Sequence, residues 1–94
     1  MFYVYVLRSQ KDKELYVGFT KNINQRLKSH QEGKNVSTKN RRPLQLIYCE
    51  LFINEKDARE KEKFYKTGRG HEVMYKTLGH YFKSVGRPSK SEGS

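Results

Sequence analysis

Residues 2–19 read FYVYVLRSQKDKELYVGF. The first six of them are aromatic, β-branched or aliphatic on both alternating faces, the pattern of a strand covered from both sides and therefore central or near-central in its sheet. A polar turn, SQKDKE, separates them from LYVGF, residues 15–19, a second short strand close enough in sequence to close an antiparallel hairpin. Gly18 interrupts that second strand, as glycine does at a bulge or where another group approaches the backbone. Each strand carries a tyrosine in its apolar run, Tyr5 and Tyr16.

Beyond the hairpin, Asn22 followed by Gln25 has the form of a helix N-cap with its N3 partner. Ile23, Leu27 and His30 recur at i, i+4 and i+7 with Arg26 beside them, so the spacing predicts a helix over 22–32 that Gly33 ends. The basic stretch KNVSTKNRRP reads as a loop, and Leu44 to Phe52, LQLIYCELF, as a third strand. Asn54 can cap a second helix over 55–67, terminated by Gly68 and Gly70. A third amphipathic segment carries Val73, Met74, Leu78, Tyr81 and Phe82. The expected fold is α/β of the α+β type, a three-stranded antiparallel sheet flanked by helices in the order ββαβαα. It occupies residues 1–83, and residues 84–94, without an apolar anchor, are expected to form a disordered tail.

A chain of 94 residues holds one core. Twenty Lys and Arg against ten acidic residues give a net charge of +10, a field that suits a polyanion. Nucleic acid is favoured over a membrane, because no apolar run approaches the roughly 18 residues that span a bilayer. Cys49 is the single cysteine, which excludes an intramolecular disulfide and places it as a small hydrophobe in its apolar run. Met1 leads straight into strand-like sequence with no signal-peptide pattern, so the expected location is the cytoplasm.

Two side chains sit oddly for a plain scaffold. On the second helix the apolar stripe through Ala58 and Tyr65 passes through Glu62, and a carboxylate there needs a partner or a cation. On the first helix, Arg26 and His30 flank the Ile23/Leu27 stripe. An ion pair, a snorkelling arginine and a structural histidine would each account for one of these positions.

Taken together, the residues resemble a known family. YVY at 3–5 with YVG at 16–18 resembles the paired signature of the GIY-YIG nuclease superfamily, and YVGFTKNINQRLKSH, STKNRRPLQLIYCE and AREKEKFYK are similar to its later segments. The resemblance covers residues 2–66 and is closest to the small stand-alone bacterial group called YhbQ-like. It implies that Tyr5 and Tyr16 are the signature tyrosines, Arg26 the catalytic arginine, His30 the histidine one turn later, and Glu62 the metal-binding glutamate. Glu62 is chosen over Glu60 because it lies four residues after an alanine and before a Lys-x-x-Lys, the same choice the helix stripe makes. Tyr3 stands where the signature has glycine, and no asparagine matches the one that some members carry after the glutamate.

The implied activity is metal-dependent hydrolysis of DNA phosphodiester bonds, structure-dependent or weakly sequence-selective, in repair or processing. Glu62 would hold one Mg²⁺ or Mn²⁺, a hard cation suited to carboxylate and phosphate oxygens. Arg26 would meet the scissile phosphate with its planar donor fork. Tyr16, assisted by Tyr5, would orient or deprotonate the attacking water, and His30 would hydrogen-bond a tyrosine or relay the proton. Lys21, Lys28, Lys34, Lys39, Arg41 and Arg42 could track the backbone of DNA or RNA, with Ser37 and Thr38 touching a phosphate. The alternatives are a nucleic-acid-binding module with little or no turnover, or a nuclease subunit of a larger assembly. The sequence leaves the oligomeric state open.

Overall fold

The structure, a computed structural model, describes residues 1–88. Strands β1 (Phe2–Ser9), β2 (Leu15–Thr20) and β3 (Leu44–Phe52) form one antiparallel sheet in the order β2-β1-β3, so the strand that is apolar on both faces is the central one. The turn between β1 and β2 is built by side chains. The Ser9 hydroxyl oxygen accepts from the Lys11 and Asp12 amides, the Asp12 carboxylate accepts from the Glu14 amide, and Lys13 takes a positive φ of 66°.

Alternation along β1 divides the core into two layers. Val4 and Val6 point into the larger one, with Val17, Ala58, Tyr65, Met74, Tyr75 and Phe82. Tyr5 and Leu7 point to the other, with Leu44 and the partly buried Tyr16, Ile23, Leu27 and Cys49. Helix α1 (Ile23–Gln31) covers this second face, capped by Asn22, whose side-chain oxygen accepts from the Gln25 amide as expected. Its far end is tied to β3, because the Gln31 side chain donates to the Leu44 carbonyl at 2.7 Å.

The helices on the first face depart from expectation. Helix α2 (Glu55–Tyr65) ends before Gly68 and Gly70, and those glycines begin α3 (Gly68–Thr77) instead of terminating α2. The Thr67 side chain accepts from the Gly70 amide and caps the new helix. A Cβ on Gly70 would run into the Phe64 carbonyl, so the glycine permits a tight backbone crossing between the two helices. The third amphipathic segment is also two helices, because the chain breaks at Leu78 (φ −107°, ψ 41°) and resumes as α4 (Gly79–Val85). Met74 and Phe82 nevertheless share the same core, since a one-residue break leaves the apolar stripe on the same side.

The expected tail starts too early. Ser84 and Val85 belong to α4, Pro88 is buried, and the Arg87 guanidinium lies 4.3 Å from the centre of the Tyr75 ring and 3.5 Å from the Glu72 carboxylate. The remainder of that tail, residues 89–94, lies outside the described residues.

Candidate active site

The site lies on the α1 face of the sheet, and its floor follows from the pairing of β1 with β2. Tyr5 is directly opposite Gly18, and its ring lies across that glycine; a Cβ at position 18 would overlap the ring and its hydroxyl. The absent side chain is what lets a fully buried tyrosine reach over β2 toward the helix layer. Its hydroxyl meets Nε2 of His30 at 2.9 Å, and Nδ1 of His30 meets the Thr38 hydroxyl at 2.7 Å. Tyr5, His30 and Thr38 are all 0% exposed, so this chain of hydrogen bonds runs in the dry interior.

Tyr16, on β2, keeps partial solvent contact and completes an aromatic cluster. Its ring centre lies 5.3 Å from that of His30 and 6.3 Å from that of Tyr5, and Tyr5 and His30 are 5.7 Å apart, edge to face. Burial pushes the Tyr5 phenol up to about 12, helped by Tyr16 and the charge of Glu62, while the neighbouring Arg26 guanidinium opposes the rise. Burial, followed by the charge of Arg26, holds His30 below the usual histidine range. Tyr5 is therefore a neutral phenol and His30 a neutral imidazole near pH 7. Arg26 on α1 and Glu62 on α2 thus both act on the phenol that the strands carry.

Glu62 is carried by α2, which is fastened to the sheet. The Tyr65 hydroxyl donates to the Glu50 carboxylate at 3.1 Å, and Lys61 pairs with the same carboxylate at 3.5 Å. Burial and the Glu50 charge push the Tyr65 phenol well above the usual tyrosine range, which keeps it a donor. The Glu62 side chain is 19% exposed and ion-paired at 2.9 Å with Lys66 one turn later, whereas Glu60 is exposed on the outer side of α2. Among the described residues no three His, Cys, Asp or Glu groups gather in a metal-binding cluster. A lone carboxylate suits an ion that keeps most of its waters and takes its remaining ligands from a substrate phosphate.

The basic residues divide into two classes. Arg42 donates to the Lys39 and Gln31 carbonyls, and Arg41 pairs with Asp12 at 3.3 Å and donates to the Leu15 carbonyl, so both hold the loop in place. Lys28 and Lys34 share Glu32 at 4.0 and 3.1 Å but stay more than 70% exposed. Lys21, Ser37 and Lys39 are exposed on the surface. Thr38 is not; expected at a phosphate, it is enclosed against His30, because the turn of Lys39–Arg41 carries it inward. Its pairing with His30 was hidden in the sequence by the loop between them, eight residues apart.

Comparison with known proteins settles the kinship. The family model described as the GIY-YIG catalytic domain matches residues 1–74. This chain belongs to the GIY-YIG family. Within it, the chain is similar to UPF0213 proteins. It is 40% identical over 67 residues to one from Clostridium perfringens, covering 70% of this chain and 71% of that one. It is 47% identical over 66 residues to one from Pediococcus pentosaceus, covering 69% and 68%. The solution NMR structure of a UPF0213 protein from Bacillus halodurans superposes with a TM-score of 0.56 at 28% identity, over 95% of this chain and 98% of that one. A GIY-YIG domain is a nuclease domain, so nucleic acid is the class of partner that the kinship implies.

Proposed function

We propose that this GIY-YIG chain is a divalent-metal-dependent endonuclease that hydrolyses DNA phosphodiester bonds with preference for a DNA structure and not for a sequence. The observation that carries the reading is the meeting of Tyr5, Tyr16 and His30 in one cluster with the charges of Arg26 and Glu62 acting on it. Each supplies something that phosphodiester hydrolysis needs. Tyr16, the tyrosine with solvent contact, orients the attacking water or, once ionised to its phenolate, accepts its proton, while buried Tyr5 and His30 hold it in place. Arg26 contacts the scissile phosphate and opposes the negative charge that grows there. Glu62 would hold Mg²⁺ or Mn²⁺, which when bound supplies positive charge to phosphate oxygens. Lys21, Lys28, Lys34 and Lys39, with Ser37, position the DNA backbone without reading its bases. Action on DNA in repair or processing, in the cytoplasm, is consistent with this chemistry.

One observation favours a second reading. The Glu62–Lys66 ion pair occupies the carboxylate that the metal needs, and a chain in which it persists is a nucleic-acid-binding module. The test incubates purified protein with supercoiled, linear, single-stranded and branched DNA in Mg²⁺ or Mn²⁺, beside Glu62→Ala and Arg26→Ala. Cleavage that both variants and EDTA abolish is expected. Binding without cleavage, equal in all three proteins, overturns the enzyme and leaves the binding module.

A further inference from the structure

We infer that Arg8 anchors a phosphate site on the sheet face opposite the tyrosine cluster, taking a terminal or free phosphate group and not a phosphodiester within a duplex. Along β1 the face that carries Val4 and Val6 carries Arg8 next, so the sheet lies between this guanidinium and Tyr5. Arg8 is only 7% exposed. Of the buried side-chain nitrogens and oxygens among the described residues, its Nε is the one without a hydrogen-bond partner.

The remainder of the guanidinium is equally unclaimed. No ion pair among the described residues includes Arg8, and the cations that lie over aromatic rings are Arg59, Lys61 and Arg87. Directly across from Arg8 on β3 stands Gln45. Its Oε1 already accepts from the Gln10 side-chain amide and the Tyr81 hydroxyl, each at 3.2 Å, so the acceptor nearest in the register is taken and its Nε2 adds a further donor. A recessed charge is costly unless it is paired, and here the protein supplies neither a carboxylate nor a carbonyl to pair it.

Because Nε is the enclosed nitrogen, the two terminal nitrogens form the open end of the fork. Two parallel N–H groups match two oxygens of one phosphate. Depth and charge then select the ligand. A phosphodiester within a duplex is flanked by its sugars and suits exposed side chains such as Lys21 and Lys39, whereas a recessed fork admits a group that projects. A terminal phosphate carries about 1.5 to 2 negative charges near pH 7 against one for a carboxylate, so it gains more from the field of a chain with a net charge of +10. A phosphate held here is beyond the reach of Tyr5, Tyr16 and His30 across the sheet, so the site does not rest on the proposed nuclease reading.

The test follows the Arg8 Nε–H signal by NMR in the full ¹⁵N-labelled chain while phosphate replaces chloride at constant ionic strength near pH 7. A saturable shift of that signal is expected, together with a Tm that climbs as phosphate rises. Arg8→Met keeps an apolar stem and should lose the climb. Acetate should shift the signal less than phosphate does. An Arg8 signal that does not move, a Tm rise that survives in Arg8→Met, or an acetate shift as large as that of phosphate overturns the inference. A second arm, in EDTA, compares a short single strand bearing a 5′-phosphate with the same strand ending in a hydroxyl. A larger Arg8 shift with the phosphorylated strand assigns the site to a nucleic-acid end; equal shifts, with inorganic phosphate binding, assign it to free phosphate. Should Arg8→Met not fold, the Arg8 signal of the wild type decides alone.

Discussion

Replacing Gly18 with alanine adds one methyl group, and the structure says where it goes: into the ring and hydroxyl of Tyr5. Tyr5 cannot retreat, since it is fully buried in the central strand with its hydroxyl on His30. Overpacking of this kind costs about 1–3 kcal/mol, and displacing the ring loses a buried hydrogen bond worth about 1 kcal/mol. A destabilisation of about 2–4 kcal/mol is expected, which for a domain of this size lowers Tm by roughly 8–32 °C. The controls are Gly68→Ala and Gly79→Ala, where an added Cβ meets nothing within 4 Å, and both should melt no lower than about 1 kcal/mol below wild type. The assay is thermal unfolding by circular dichroism, with the double variant Gly18→Ala/Tyr5→Leu to measure coupling. If ring and methyl compete for one space, the double variant is less destabilised than the two single changes together. Gly18→Ala melting within about 2 °C of wild type would refute the placement of Tyr5 over Gly18.

Three further outcomes follow from the same geometry. Because burial raises the Tyr5 phenol from 10.0 to about 12, the folded state holds that proton more tightly than the unfolded state; the contribution is complete below pH 10 and lost as pH rises toward 12. Denaturant titrations should show this alkaline loss reduced, though not abolished, in Tyr5→Phe, since Tyr65 is shifted in the same direction. Lys39→Ala should lower the slope of log affinity for DNA against log salt by about one while leaving Tm unchanged; Arg42→Ala, which removes a guanidinium bonded to two carbonyls, should lower Tm by several degrees, as urea or thermal melts will show. Lys66→Ala should tighten Mn²⁺ binding measured by calorimetry, because it removes the cation competing for Glu62, and unchanged affinity would take Glu62 out of the metal site.

Much of the molecule was legible in its residues, for reasons that are local. The apolar character of β1 on both faces gave away its central place, and Asn22 and Asn54 marked helix starts because their side chains do cap α1 and α2. Gly18 signalled a close approach, though not by what. The helices after residue 66 were harder, because glycine serves both to end a helix and to let one begin against its neighbour; Gly68 and Gly70 do the second. The break at Leu78 left no trace, since a stripe of apolar residues keeps its period across a single irregular residue. On α2, the partly buried, ion-paired state of Glu62 was legible from its place on the stripe. Thr38 and Arg42 were read as surface contacts because a loop with no periodicity does not reveal which side chains turn inward.

The place of Tyr5 in the central strand also determines how its surroundings fail. Tyr5 has a hydrogen-bonded strand on each side and a layer of core on the opposite face, so it sits in the part of the chain that opens last. Most small domains can shed a functional loop and recover it while the remainder stays folded. Here such partial melting cannot release the tyrosine, and loss of the Tyr5–His30 contact and global unfolding become one event.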